Sequence, residues 1–85
     1  MYFVYILHST SFKHTYTGMT QDVDKRLFQH NLGQNKSTKA YTPWVIIHVE
    51  EFNTRDQARK REKYLKSGVG REFISDLLTS FNKAT

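Results

Sequence analysis

Hydrophobic and polar residues are patterned along the chain in a way that predicts three strands. The first strand is expected over Tyr2–His8, which is rich in aromatic and β-branched residues. The polar stretch Ser9–Lys13 suits a turn, after which His14–Met19 is expected to return as the antiparallel half of a hairpin. Trp44–Phe52, which follows Pro43, has the strongest strand pattern in the sequence. These three segments are the predicted sheet.

Three further segments carry apolar residues at helical spacing. A first helix is expected over residues 22–30, and a polar loop follows it. A second is expected over residues 54–67, because Thr54-x-x-Gln57 resembles a capping box, and Gly68 is expected to end it. A third helix follows, with an apolar stripe formed by Phe73, Ile74, Leu77, Leu78 and Phe81. The order β-β-α-β-α-α predicts an α+β domain with a small, mostly antiparallel sheet.

Length and composition narrow the class of protein. The 85 residues are enough for one domain with one small core, expected over residues 1–85. The absence of cysteine excludes disulfides and thiolate zinc sites. The apolar run Tyr2–Leu7 is too short for a signal peptide or a membrane span, and it lacks a basic leader. We therefore expect a cytoplasmic protein that has no membrane partner.

Basic residues are concentrated in one segment. The chain has 13 Lys and Arg against 8 Asp and Glu, a net charge of +5. The segment Arg55–Arg71 alone has seven basic residues and two acidic ones, which equals the surplus of the whole chain. Such a patch attracts polyanions. A solvated helix face that aids solubility is the alternative, but the density of charge favours nucleic acid.

Glu62 lies in an unexpected position of the predicted second helix. Ala58 and Leu65 are the inward positions of that helix, and Glu62, four residues after one and three before the other, projects from the same face. A carboxylate at a dry site is costly unless it is paired or bound to a metal. The sequence leaves two interpretations open, a metal ligand or an intrahelical ion pair with Arg59 or Lys66.

Arg26 and His30, on the predicted first helix, likewise have either a functional or a structural role. Their i, i+4 spacing places them on one side of that helix. Structural alternatives are a salt bridge from Arg26 to Asp22, and stabilisation of a terminal histidine by the helix dipole.

Tyr5 and Tyr16 lie on the two strands of the expected hairpin, where facing positions share a side. We expect their hydroxyls to lie within a few ångströms of one water-filled cleft rather than on opposite faces of the sheet, although packing with a wet polar tip is the alternative. With the helical residues they offer what phosphodiester cleavage needs. A carboxylate can bind a hard divalent cation, a guanidinium can neutralise phosphate charge, and other groups can move a proton.

At these residues the sequence resembles the GIY-YIG nucleases. Val4-Tyr5-Ile6 and Tyr16-Thr17-Gly18 stand where that family has its two tripeptides. Arg26 with His30 matches the family's helical Arg followed four residues later by His or Tyr. Glu62 matches its metal-binding Glu. The likeness covers nearly all of the chain and is greatest to small stand-alone members that consist of the nuclease module.

The resemblance implies a fold, a cofactor and a reaction. The fold is a three-stranded antiparallel sheet flanked by helices. One Mg²⁺ or Mn²⁺ ion is held mainly by Glu62 and water, and an activated water attacks the scissile phosphate. The proton is handled by one of the two tyrosines or by His30, and Arg26 stabilises the developing charge. Gly18 lets the backbone and the substrate approach closely.

Two positions depart from the family pattern. Met19 stands where several members have a polar residue, often Lys, and Ile74 stands where many have Asn. Asn82 is too far along the chain to replace that Asn. We therefore expect a slow or partner-dependent nuclease. A nucleic-acid-binding module without turnover is the second hypothesis, and a domain whose basic helix meets an acidic protein is the third.

The expected substrate is DNA, with RNA left open. No sequence-reading module is present, so cutting is expected to be non-specific or directed by DNA structure, in repair or recombination, with specificity supplied by a partner where one exists. The residues expected to bind nucleic acid are Lys36, Lys39, Arg55, Arg59, Lys63 and Lys66.

Overall fold

Three antiparallel strands form the sheet of the computed structural model, which describes residues 1–84. The strands are β1 (Tyr2–Ser9), β2 (Thr15–Thr20) and β3 (Trp44–Phe52). Their spatial order is β2-β1-β3, and both pairings are antiparallel. The predicted α+β fold is confirmed, with the second strand displaced by one residue from its predicted range.

The sequence of β1 explains its central position. Val4, Tyr5, Ile6 and Leu7 are each at most 1% exposed. Successive residues of a strand point to opposite faces, so a run of buried residues means that both faces are covered. An edge strand with one wet face would alternate apolar and polar residues instead.

Helices cover the two faces of the sheet. Helices α2 (Arg55–Leu65) and α3 (Gly68–Ala84) cover the face of Val4 and Ile6, where Ala58, Leu65 and Ile74 complete the buried cluster. Helix α1 (Val23–Asn31) covers the other face, where a second cluster contains Tyr5, Leu7, Trp44, Val23 and Leu27. Among residues 1–84, no helix combines the length and the apolar character that a bilayer span requires.

The first two helices begin at polar side chains that cap them, and the cap at Thr54 is the predicted one. The Asp22 carboxylate accepts a hydrogen bond from the Lys25 amide at 3.1 Å, and α1 therefore begins one residue later. The Thr54 hydroxyl accepts one from the Gln57 amide at 3.2 Å. In both cases a polar side chain satisfies a backbone N–H that the first turn leaves free.

The junction of α2 and α3 differs from the prediction. Gly68 was expected to end the second helix, but α2 already ends at Leu65 and Gly68 is the first residue of α3. The reason is Ser67, whose hydroxyl accepts a hydrogen bond from the Gly70 amide at 3.3 Å and so caps a new helix. A β-carbon on Gly70 would collide with the backbone of Tyr64 and Leu65, so only glycine permits this close turn.

The loop after α1 contains a turn that was not predicted. Residues Lys39–Tyr41 form one turn of 3₁₀ helix. The Trp44 indole N–H donates to the Thr38 carbonyl at 2.9 Å, and the Asn31 side chain exchanges two hydrogen bonds with the Trp44 backbone. These bonds fix the loop against the end of α1 and the start of β3.

An ion-pair network ties α2 to β3. The Arg61 guanidinium donates to both carboxylate oxygens of Glu50, at 2.8 and 3.0 Å, and His48 Nε2 lies 2.7 Å from the same carboxylate. Burial raises the pKa of Glu50, but its hydrogen bonds to Arg61 and His48 outweigh burial and lower that pKa. Arg61, one of the seven basic residues of the segment Arg55–Arg71, therefore has its charge neutralised by Glu50 within the fold.

Candidate active site

Tyr5 and Tyr16 lie on the same face of the sheet. Tyr5 stands opposite Gly18, and Leu7 stands opposite Tyr16, so the tyrosines are diagonal neighbours. Their ring centroids are 6.2 Å apart. A β-carbon on Gly18 would lie 2.5 Å from the Tyr5 hydroxyl oxygen, so the space expected to admit substrate at this glycine is occupied by the phenol.

Only one of the two tyrosines borders open space. A cleft of about 360 Å³ beside β2 is lined by Thr15, Tyr16, Thr17, Leu65, Lys66, Arg71 and Ile74. Tyr5 is 1% exposed and does not line that cleft. The two phenols lie on one face of the sheet, as expected, but Tyr5 is covered by the elements packed on that face, and the nearness of its hydroxyl to the cleft stays a prediction.

A chain of hydrogen bonds runs inward from Tyr5. Its hydroxyl lies 3.0 Å from His30 Nε2, and His30 Nδ1 lies 2.8 Å from the Thr38 hydroxyl. Thr38 in turn lies 3.4 Å from the Asn35 carbonyl, which can only accept. Thr38 therefore donates to Asn35 and accepts from the Nδ1–H of His30, which leaves Nε2 to accept the Tyr5 proton.

Burial keeps this pair neutral. It raises the pKa of Tyr5 to about 12, an effect that the Arg26 guanidinium opposes and that Tyr16 and Glu62 reinforce. Burial also lowers the pKa of His30, and the charge of Arg26 lowers it further. At neutral pH Tyr5 is thus a protonated donor and His30 is an uncharged acceptor.

Arg26 directs its charge toward this pair. Its Nη1 donates to the Gln29 side-chain oxygen at 3.1 Å. Within residues 1–84 it has no salt bridge, so the proposed pairing with Asp22 is absent, and the Asp22 carboxylate caps α1 instead. An arginine without a carboxylate partner keeps its N–H donors available for a phosphate.

Glu62 occupies the position that the helical spacing predicted. It shares a face of α2 with Ala58 and Leu65, which are fully buried, and its own side chain is 19% exposed. Its carboxylate lies 3.4 Å from Lys66 Nζ, whereas no ion pair with Arg59 occurs in the described chain. The Lys66 side chain is 54% exposed, and such helical pairs contribute only about 0.3–0.5 kcal/mol.

The donor groups fit a hard, oxygen-binding divalent cation better than a structural zinc ion. In residues 1–84 no three His, Cys, Asp or Glu side chains converge in a way that would hold a metal ion. Mg²⁺ keeps several waters and commonly binds through one or two carboxylates together with substrate phosphates. Glu62, a single carboxylate whose side chain is 19% exposed and whose charge acts on Tyr5, meets that requirement, whereas a structural zinc site needs four protein ligands.

A row of cations runs along the side of α2 next to Glu62. Arg55, Arg59, Lys63 and Lys66 follow one another at steps of three or four residues and are exposed. Lys36 and Lys39 are also exposed, on the loop that contains Thr38. Thr38 is a hydrogen-bonding partner of His30 that the sequence did not indicate, because only the folded loop brings it to the imidazole.

Comparison with known proteins places these residues in one matched region. A family model described as the GIY-YIG catalytic domain matches residues 1–72. A UPF0213 protein of Haloquadratum walsbyi is 40% identical over 67 residues, which cover 78% of this chain and 74% of that protein. A UPF0213 protein of Staphylococcus aureus is 39% identical over 67 residues, which cover 78% of this chain and 80% of that protein.

A solved structure has a similar fold. The solution NMR structure of a UPF0213 protein from Bacillus halodurans matches with a TM-score of 0.53 and 30% sequence identity. The match covers 89% of this chain and 83% of that one. The family model spans all five residues that the sequence pattern singled out, which are Tyr5, Tyr16, Arg26, His30 and Glu62.

Proposed function

Because this chain belongs to the GIY-YIG catalytic domain family of nucleases, we propose that it is an endonuclease that hydrolyses DNA phosphodiester bonds with Mg²⁺ or Mn²⁺. The observation that carries the proposal is the position of the charged residues relative to the buried Tyr5–His30 pair: the charge of Arg26 acts on both members, and that of Glu62 acts on Tyr5. Cutting is non-specific or directed by DNA structure, because no module that reads sequence is evident in the chain. The process that it serves is DNA repair or recombination.

Each charged residue has a distinct task in this reaction. Glu62 holds the divalent ion, which when bound polarises the phosphate and makes a bound water more acidic. The Arg26 guanidinium donates to the non-bridging phosphate oxygens and stabilises the charge that develops on them. The exposed cations of α2 neutralise flanking phosphates and hold the strand beside the site.

The buried pair is suited to relaying a proton rather than to acting as a phenolate base. With a pKa of about 12, Tyr5 does not lose its proton alone at neutral pH. Because Tyr5 is 1% exposed, a proton can reach it only from a group packed against it, and its own O–H proton can then pass to His30 Nε2, 3.0 Å away. The Nδ1–H bond to Thr38 holds the imidazole in the tautomer that this transfer requires.

The decisive experiment is Glu62→Gln, which keeps the shape of the side chain and removes its charge. We expect cleavage of nicked, branched and linear DNA in Mn²⁺ to disappear, while DNA binding persists or tightens because one negative charge is lost from a basic surface. Mn²⁺ should raise the melting temperature of the wild type and not that of the variant. Glu51→Gln, the same change at an exposed carboxylate of β3, is the matched control.

The alternative role of Glu62 gives a different result. If its ion pair with Lys66 is its whole contribution, the substitution costs a few tenths of a kcal/mol and cleavage continues. Stabilisation by Mn²⁺ that survives in the Gln variant would contradict the assignment of Glu62 as the ligand.

A binding module without turnover is the second candidate, and two positions favour it. Met19 packs against the core cluster of Val4 and Ile6, and Ile74 is 9% exposed and lines the cleft beside Tyr16. Neither position supplies the polar group that many family members have there. Wild-type protein that binds these DNAs but cleaves none of them in Mn²⁺ would support this second function.

A further inference from the structure

We propose that Phe12, His14 and Tyr41 form an aromatic shelf on which an unpaired nucleobase stacks beside the scissile phosphate. The inference rests on the proposed nuclease function and names its substrate class, a nucleic acid with at least one unpaired base at the cutting site. None of these three rings belongs to the active-site residues described above.

The shelf consists of stacked rings with open surface. The rings of His14 and Tyr41 have centroids 3.9 Å apart, with their planes inclined by 33°. Phe12 meets Tyr41 edge to face, with centroids 5.4 Å apart. Phe12 is 49% exposed and His14 is also exposed, whereas Tyr41 is half-buried and packs against the core cluster that contains Trp44.

Hydrogen bonds hold the shelf in place before any ligand arrives. The hydroxyl of Ser9, which is 1% exposed, accepts from the Phe12 amide at 3.1 Å. The Thr10 amide donates to the Pro43 carbonyl at 3.0 Å, which ties the β1–β2 turn to the segment after Tyr41. A preorganised surface loses less conformational entropy on binding, so exposed rings held in this way are suited to recognition.

Cations are interleaved with the rings. Lys13 lies between Phe12 and His14 in the sequence, and Lys39 begins the 3₁₀ turn that Tyr41 ends. Both lysines are exposed. Proteins hold single strands by this combination, in which bases stack on aromatic rings and cations neutralise the backbone. A duplex buries the faces of its bases within the stack, so an unpaired base is the group that fits.

The shelf adjoins the active site. The Ser9 amide donates to the His14 carbonyl at 3.0 Å, so the hairpin pairing extends beyond β2 to that residue. His14 and Tyr16 are two residues apart on the same side of an extended segment, about 6.6 Å along the chain. Thr38, which precedes the turn of the shelf, bonds to His30. A strand whose phosphate lies at Tyr16 can thus place an adjacent base on the shelf.

The test measures binding in EDTA, so that cleavage does not interfere. The probes are a single-stranded DNA 12-mer with one 2-aminopurine, the same sequence as RNA, and a blunt DNA duplex. We expect the double variant Phe12→Leu/His14→Gln to weaken single-strand binding by about 5- to 100-fold and to relieve the quenching of 2-aminopurine. Duplex binding should change less than twofold. Phe28→Leu, at an exposed aromatic position of α1, is the matched control and should bind as wild type.

Several results would overturn the shelf. Unchanged single-strand binding and quenching would do so, as would an equal loss on duplex DNA. The shelf would also be overturned if the double variant lost binding to an acidic peptide but bound single strands as the wild type does. A loss on DNA alone or on RNA alone supports the shelf and identifies the strand. If the double variant melts early, His14→Gln is measured by itself, because that side chain is exposed.

The shelf and the nuclease proposal fail separately. If the wild type cleaves DNA in Mn²⁺ but the shelf variants bind single strands normally, the shelf is wrong and the nuclease stands. If single strands bind through the shelf while the wild type cleaves nothing, the nuclease proposal is wrong and the shelf stands.

Discussion

At Gly18 the absence of a side chain decides where the phenol of Tyr5 lies. A β-carbon there would approach the Tyr5 hydroxyl oxygen to 2.5 Å, Tyr5 Cζ to 2.7 Å and Tyr16 Cε2 to 2.9 Å. The backbone dihedral φ of Gly18 is not positive, so the requirement for glycine is steric. One small residue in β2 therefore allows Tyr5 to reach His30 from the central strand.

We predict that Gly18→Ala destabilises the fold by about 1–3 kcal/mol, the range for an added methyl group in a packed site, because both tyrosine rings must shift. Urea unfolding and the near-ultraviolet circular dichroism of the tyrosines would measure the effect. Gly68→Ala is the matched control, since a β-carbon there has no neighbour within 4 Å. An equal free energy of unfolding for both variants would mean that the ring over Gly18 moves freely.

The two tyrosine hydroxyls are expected to differ in what they contribute to stability. Tyr5→Phe leaves the Nε2 of fully buried His30 without its donor, and we expect a loss of about 1–3 kcal/mol. Tyr16→Phe, on a half-buried ring at the cleft, should cost less than about 0.5 kcal/mol. Denaturant unfolding of both variants measures this contrast, and equal losses would mean that the Tyr5–His30 bond is not formed in solution.

At the scale of elements, α2 has three different sides. Ala58 and Leu65 are fully buried against the sheet. Arg61 faces β3 and donates to Glu50, so that side of the helix is structural. The row from Arg55 to Lys66 faces solvent next to Glu62. The charge of the helix is therefore divided between holding the fold and presenting a surface to phosphate.

We predict that Arg59→Glu/Lys63→Glu weakens duplex DNA binding at least tenfold at low salt and reduces the salt dependence of the affinity, because fewer counterions are released. The control is Lys60→Glu, an exposed cation about 100° around the same helix from Arg59. Fluorescence anisotropy over a salt series gives both quantities. If Lys60→Glu lowers DNA affinity as much as each substitution of the double variant does, the affinity depends on the net charge of the protein and not on the row of cations.

At the scale of the whole molecule, the site takes its residues from two strands, two helices and a loop. Tyr5 comes from β1, Tyr16 from β2, His30 from α1 and Glu62 from α2, and Thr38 closes the site from a loop. Residues that are up to 57 positions apart in the sequence must meet for the site to exist. Protonation of a buried member should therefore affect the stability of the whole domain.

We predict that stability falls as the pH drops below about 6.5. That is the ordinary pKa of histidine in an unfolded chain, and burial lowers the pKa of folded His30 below it. In the window between the two values the unfolded state binds more protons, so the free energy of unfolding rises with pH. Arg26, Tyr5, Tyr16 and Thr38 lie around this imidazole, and none of them is a carboxylate that would favour its protonated form.

Urea unfolding at intervals from pH 7.5 to 5.0 measures this dependence. His30→Gln should be less stable at pH 7.5 but should lose less stability on acidification, because the titrating group has been removed. The pKa of the Glu50 carboxylate is lowered, so this group affects the pH dependence of stability only at more acidic pH, where its protonation weakens the pair with Arg61. If the free energy of unfolding depended on pH in the same way in wild type and His30→Gln, a group other than His30 would cause the loss of stability in acid.

The sequence by itself determined the order and type of the secondary structure elements. The apolar run of β1, the caps at Asp22 and Thr54 and the apolar stripe of α3 are local signals, because each depends on residues a few positions apart. The five residues proposed for the site were also chosen from order, spacing and likeness to the family motifs, and their roles stay predictions. The boundary at Gly68 was wrong because the same residues suit the end of one helix and, with Ser67 as cap, the start of another.

Only the tertiary structure decided how those residues behave chemically. The sequence shows a tyrosine and a histidine, but burial and distant charges make one a donor with a pKa of about 12 and the other a neutral acceptor. Thr38 joins the site, and Glu50 removes Arg61 from the basic surface, through contacts across 8 and 11 residues. Protonation and charge depend on what surrounds each group, and those surroundings exist only once the chain has folded.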